Sequence, residues 1–143
     1  MELKRQDVFT VYGDPVAKGR PRFRMAGKFP TTYTPGKTKQ AEYDFKAQSI
    51  KHKPARPWEG PIGLSIFIYK DTPKGYSMKR KDLAEQAELR PITRPDADNY
   101  AKLVMDAMNG IFFVDDSQVV TLITGKYYSR RPRINVEIQY LEQ

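Results

Sequence analysis

Arg94-Pro-Asp-Ala-Asp-Asn-Tyr-Ala-Lys-Leu-Val-Met-Asp-Ala-Met-Asn-Gly110, followed by Ile111-Phe-Phe-Val-Asp-Asp-Ser-Gln-Val119, is the stretch on which the fold turns. Pro91 and Pro95 disfavour helix before it. Asp98 reads as an N-cap, and a helix is expected from about Asn99 to Met108, stopped by Asn109-Gly110. Leu103, Val104, Ala107 and Met108 line its apolar side. A short apolar run then leads to a second acid pair and into strand-forming sequence.

Working outward, the flanks alternate between strand and helix signals. Val119 to Tyr128 and Ile134 to Tyr140 read as two strands joined through Ser129-Arg-Arg-Pro-Arg133. The alternation of Ile134, Val136, Ile138 and Tyr140 with polar residues suggests an antiparallel hairpin with one buried face. Upstream, Val8 to Tyr12 reads as a strand ending at Gly13 and Pro15. A loop dense in Lys18, Arg20, Arg22, Arg24 and Lys28 follows, kept from helix by Gly19, Pro21 and Gly27. Thr38 reads as the N-cap of a helix from about Lys39 to Lys51, ended by Pro54 and Pro57. Pro61 to Tyr69 reads as a strand with Leu64, Ile66 and Ile68 on one face. Lys70 to Lys81 reads as a polar, basic, mobile segment, with Ser77 able to cap a short helix through Ala87. The expectation is a single α+β domain over residues 1–143, a mixed or antiparallel sheet with helices packed on it.

At 143 residues the chain is long enough for one sizeable core. It has no cysteines, which excludes disulfides and thiolate metal sites. No run of about 18 apolar residues is present, so no membrane span is expected. The N-terminal residues lack the apolar centre of a signal peptide. With 25 Lys plus Arg against 17 Asp plus Glu, the net charge is +8 and phosphate is the natural counter-charge.

Against that background, Asp96, Asp98, Asp115 and Asp116 stand out. Gathered carboxylates repel unless a cation sits among them. Asp96 and Asp98, two apart in an extended stretch, point the same way and can face one ion. Their oxygens suit Mg²⁺ or Mn²⁺. Such a pair before a helix is also what an N-cap and a first-turn acid look like. A ten-residue helix carries the chain roughly 15 Å. A short return can bring Asp116 back to its start, so three carboxylates can converge.

Lys102, four residues after Asp98 on the same face, is either an ordinary ion-pair partner or a cation for a phosphate in the transition state. Asp106 reads as a partner of Lys102 or solvent. Asn99 is either a polar first-turn residue or an orienting group. His52, the one histidine, reads as a surface residue, since no triad context surrounds it. The phosphate-binding Gly-x-x-x-x-Gly-Lys-[Ser/Thr] loop is missing. Lys18, Arg20 and Arg22 read as contacts to a DNA backbone, because Gly and Pro hold the loop in shape and Arg forks match phosphate oxygens. Lys37, Lys39, Arg130 and Arg131 are weaker candidates.

These motifs, taken together, resemble the RusA family of Holliday junction resolvases. The resemblance rests on Gly13-Asp-Pro-Val-Ala-Lys-Gly-Arg-Pro-Arg22, Tyr33-Thr-Pro35, Arg94-Pro-Asp-Ala-Asp-Asn99 with Lys102, Asp106-Ala-Met-Asn-Gly110 and Asp115-Asp-Ser-Gln-Val119. It implies a homodimer that makes paired, Mg²⁺-dependent nicks in four-way DNA junctions in a bacterial or phage-infected cytoplasm. It also implies that Asp96, Asp98 and Asp116 are the catalytic metal-binding acids and Lys102 the catalytic lysine. Asp115 is the less certain member of its pair. A branched- or flap-DNA nuclease and a non-catalytic DNA-binding protein are the alternatives. An RNA-binding protein is weaker, for want of an aromatic ribonucleoprotein motif.

Overall fold

Alternating apolar residues make three of the strands two-faced, and their apolar faces converge on a single layer of helices. The computed structural model describes residues 1–19, 22–33 and 36–143, and the side chains of residues 22–24, 26 and 31–33 also lie outside the description. The elements are β1 (Glu2–Tyr12), β2 (Arg22–Ala26), β3 (Phe29–Tyr33), α1 (Gly36–Ser49), β4 (Ile62–Asp71), α2 (Met78–Glu85), α3 (Ala97–Met108), β5 (Val119–Ser129) and β6 (Arg133–Glu142). Four strands form one mixed sheet in the order β1-β6-β4-β5, and β2 and β3 form a separate hairpin.

The core lies on one face of the sheet. Phe9 and Val11 of β1, Ile62, Leu64, Ile66 and Ile68 of β4, and Ile134, Val136, Ile138 and Tyr140 of β6 are buried there. Phe45 of α1 and Tyr100, Ala101, Val104, Ala107 and Met108 of α3 cover them, joined by Phe112 and Phe113. Fully burying one such side chain stabilises the fold by about 1.5–3 kcal/mol, so this layer is the main source of cohesion. The spacing of the buried positions in α3 leaves one polar stripe, Asp98, Lys102 and Asp106, each four residues from the next. The opposite sheet face carries a cation–aromatic ladder. Arg90 lies 4.0 Å from the centre of the Tyr127 ring, Tyr127 stacks on Tyr69, and Arg133 lies 3.9 Å from the centre of Tyr69.

Several expectations give way here. β5 and β6 do not form a hairpin: β4 lies between them, parallel to β5 and antiparallel to β6. Arg130 to Pro132 can span this gap, since four Cα steps reach about 13 Å and two strand spacings need only about 10 Å. The uninterrupted apolar face of β4 suits it to that central place. The basic loop becomes the β2–β3 hairpin, turned at Gly27-Lys28 with Gly27 at φ 65°. Gly is the residue that takes this conformation without strain.

α1 begins before Thr38. That side chain is buried within the helix, and its Oγ1 accepts from the Gly19 amide at 3.0 Å instead of capping. The Lys70–Lys81 segment is ordered: β4 runs to Asp71, and Ser77 caps α2 by accepting from the Arg80 amide. α2 is tied to the end of β5 by Arg130 to Asp82 at 2.8 Å and by Glu85, which accepts from the Arg130 amide. His52 is half-buried and stacks on Phe9, its ring centre 5.0 Å away.

Candidate functional site: an acidic helix start beside a lysine–carboxylate ladder

Asp96, not Asp98, occupies the N-cap of α3, and Asp98 lies in its first turn. The Asp96 carboxylate makes no capping bond. The amides of Asn99 and Tyr100 go to the Asp96 backbone carbonyl instead, at 3.1 and 3.4 Å. The carboxylates of Asp96 and Asp98 therefore stand exposed at the positive end of the helix dipole. Capping does not account for the Asp96 side chain.

Lys102 does not pair with Asp98. Its Nζ lies 3.0 Å from Asp106 and 3.5 Å from Asp116. The bond to Asp106, with the nearby Asp116 charge, raises the Lys102 pKa above its ordinary value and keeps the group cationic. Asp106 also meets Lys18 at 3.1 Å, and Lys18 meets Glu42 of α1 at 2.7 Å. Burial pulls the Lys18 pKa down, but the bonds to Glu42 and Asp106 outweigh it and the net shift is upward.

Asp116 is held in place by a short 3₁₀ turn, Asp116–Gln118, immediately before β5. Asp115 caps this turn: its carboxylate accepts from the Ser117 amide at 3.0 Å, while Gln118 Oε1 accepts from the Asp115 amide at 2.8 Å. The bond from Ser117 also holds the Asp115 pKa below the usual carboxylate value. Gln118 Nε2 donates to the carbonyls of Trp58 and Gly60 at 2.7 and 2.8 Å, pinning the turn to the segment before β4. The two neighbouring acids thus separate: Asp115 serves the turn, and Asp116 faces Lys102.

The basic segment docks on the start of α3, where the Lys18 amide donates to the Asn99 carbonyl at 2.9 Å. The Lys18 charge is engaged by two carboxylates. Arg20 lies outside the described residues, and Arg22 opens β2 with its side chain outside the description.

The donor chemistry of Asp96, Asp98 and Asp116, hard oxygens at a helix start, fits a Mg²⁺ or Mn²⁺ ion. Among the described residues, no three acids stand close enough to enclose one. Mutual repulsion of carboxylates without a cation opposes such closure. Sequence reasoning missed Glu42 and Gln118. Glu42 carries no local signal, since its partners lie at positions 18 and 106. Gln118 had one: Asp-x-x-Gln, the spacing of a capping box.

The arrangement is an α+β domain that sets exposed carboxylates and a paired lysine on a basic protein. Comparison with known proteins defines the class. Residues 12–139 match the family model described as Endodeoxyribonuclease RusA, and the chain belongs to the RusA endodeoxyribonuclease family. It is 41% identical over 133 residues to the uncharacterized protein YqaN of Bacillus subtilis strain 168, covering 92% of this chain and 94% of that one. It is also 34% identical over 99 residues to the crossover junction endodeoxyribonuclease rusA of Lactococcus phage r1t, covering 67% of this chain and 69% of the phage protein.

Proposed function

We propose that this endonuclease cuts four-way DNA junctions by paired, metal-dependent nicks in recombination and repair. One observation carries the reading. Asp96, whose carboxylate makes no capping bond, and Asp98 stand exposed at the start of α3, while Lys102, one turn on from Asp98, stands beside Asp116. Family membership and the phage relative's name support the substrate class. Asp96, Asp98 and Asp116 would hold Mg²⁺ or Mn²⁺. When bound, such an ion activates water and offsets charge on the attacked phosphate. Lys102, kept cationic by Asp106, places a positive charge beside that phosphate. Asn99, exposed in the first turn of α3, would orient an acid or the phosphate.

Arg20 and Arg22 grip the DNA backbone, since Arg forks match phosphate oxygens and positioning contacts of this kind dominate affinity. Lys18 stands in the same segment, with its charge turned towards Glu42 and Asp106. A homodimer would present two such sites to the two strands that must be cut. The work would lie in a bacterial cytoplasm, host- or phage-encoded, in keeping with relatives from Bacillus subtilis and a Lactococcus phage. No helix among the described residues is long and apolar enough to cross a membrane.

The test compares cleavage of a synthetic four-way junction, a fork and a linear duplex. Nicks confined to the junction support the reading. Equal cutting of all three would make this a nuclease of broader specificity. Sedimentation of the free protein checks the dimer.

A further inference from the structure

Asp106 pairs with two lysines, yet the mechanism above uses it only as a counter-charge. Its Oδ1 lies 3.0 Å from Lys102 Nζ, and its Oδ2 lies 3.1 Å from Lys18 Nζ. Lys18 is fixed at both ends. Its amide donates to Asn99, and its Nζ meets Glu42 on α1 at 2.7 Å. The side chains of Lys18, Glu42 and Asp106 are 22%, 20% and 21% exposed, whereas Lys102 is 53% exposed. The charges therefore alternate from Glu42 through Lys18, Asp106 and Lys102 to Asp116, and Lys102 is the most exposed of the five.

That exposure matters for how Lys102 is placed. A lysine stem is flexible and carries about 2 kcal/mol of rotamer entropy, so an exposed one is not placed by packing. Its contact with Asp116 is long, at 3.5 Å. Asp106 is the shorter anchor, and Lys18 fixes its second oxygen. Without Lys18, Glu42 and Asp106 would face each other as like charges, and Asp106 would turn away.

We propose that Asp106, Lys18 and Glu42 are positioning residues that hold Lys102 Nζ beside Asp116, and that Lys18 serves this ladder instead of contacting DNA. The proposal rests on the reading of Lys102 and Asp116 as part of the cutting site.

The test uses the full chain and the variants Asp106→Asn, Asp106→Glu, Lys18→Met and Glu42→Gln. Three quantities are read: single-turnover cleavage at saturating protein, junction affinity in chelator across salt concentrations, and thermal melting. Asp106→Asn and Lys18→Met should each slow cleavage by about 10- to 100-fold, the scale expected when a catalytic group is displaced by an ångström. Junction affinity should stay within about twofold, and its salt slope should not change; a lost phosphate contact would instead reduce the slope by about 0.9. The Lys18→Met, Asp106→Asn double variant should be no slower than Asp106→Asn alone, and Asp106→Glu should restore part of the rate. Glu42→Gln should act in the same direction, more weakly.

A Lys18→Met variant that loses affinity and salt slope at an unchanged saturated rate overturns the proposal. So does an Asp106→Asn variant that cuts normally. If melting shows that Asp106→Asn does not fold, the Lys18 and Glu42 variants decide on the same criteria. Wild-type cleavage separates the two levels. If the wild type cuts and the variants match it, only the ladder fails. If the wild type makes no nick, the cutting site itself is refuted and the ladder with it.

Discussion

Lys102 and Asp116 are 14 positions apart in sequence and meet at 3.5 Å. The chain between them shows how. α3 ends at Met108, Gly110 turns the backbone at φ 79°, and Phe112 and Phe113 are buried in the core. Burying two aromatic rings fixes the return path, and the 3₁₀ turn then presents Asp116 to the helix stripe. Core packing thus fixes where Asp116 stands, while the exposed Lys102 end is held by its ion pairs.

Substituting Asp98 with Asn should abolish cleavage while leaving junction binding unchanged or tighter, because a negative charge facing phosphate is removed. The expected loss of rate is about 10²-fold or more, the consequence of losing a few kcal/mol of charge stabilisation. Cleavage and gel-shift assays on the same protein check it. An Asp98→Asn variant that cuts at the normal rate would remove Asp98 from the mechanism.

Asp115 and Asp116 should behave differently despite being neighbours. Asp116→Asn should match Asp98→Asn, whereas Asp115→Asn should slow cutting by less than about tenfold, since Asp115 acts on the turn and not on the phosphate. The pH dependence separates them further. The folded-state pKa of Asp115 is lowered from the ordinary 3.8. Its contribution to stability is therefore present above 3.8 and is lost as pH falls through the lower folded value. Melting curves of wild type and Asp115→Asn should differ at pH 5 and converge in strong acid. A gap that widens in acid would reverse the assignment.

Lys102 shows the opposite sign. Its pKa is raised from 10.5 by the bond to Asp106. Whatever stability the pair adds is present below 10.5 and disappears only as pH rises through the higher folded value. The group stays charged over the working range. The pH–rate profile should therefore show no inflection from this lysine between about pH 6 and 9, far below its ordinary titration. Rates measured across that range for wild type and Lys102→Arg, a group that does not titrate there, should run parallel.

Gln118 should matter for both stability and rate. Gln118→Leu leaves the Trp58 and Gly60 carbonyls and the Asp115 amide without their side-chain partner. Leaving such groups unpaired costs about 1–3 kcal/mol, which is several degrees of melting temperature for a domain of this size. Cutting should slow as well, because Asp116 sits in the turn that Gln118 anchors. A variant that melts and cuts like the wild type would show that β5 alone positions the turn.

Much of this was legible in the sequence, for identifiable reasons. α3 announced itself by the spacing of Leu103, Val104, Ala107 and Met108 and by Asn109-Gly110. β1, β4, β5 and β6 were found from their strand-forming residues, whereas the β2–β3 hairpin was read as a loop. What failed was long-range pairing. Nothing local in Val119–Tyr140 tells whether β4 inserts between the two strands, because β6 buries the same face in either arrangement. Thr38 misled because a hydroxyl near a helix start is the mark of a cap, yet Gly19 claims it. The ion pairs of Lys18 were not legible, because its partners, Glu42 and Asp106, are distant in sequence. The Asp115–Asp116 pair was half legible: Gln118 at capping-box spacing marks Asp115 as the cap and leaves Asp116 for other work.

The central claim is that the acids at the start of α3 and Asp116 make a metal-dependent cutter of branched DNA. The most direct measurement is a denaturing gel of a synthetic four-way junction incubated with the wild-type protein, with Mg²⁺ and with chelator. Paired nicks near the crossover in Mg²⁺, with none in chelator, are predicted. Junction binding that ignores Mg²⁺ and yields no nicked product would contradict the account.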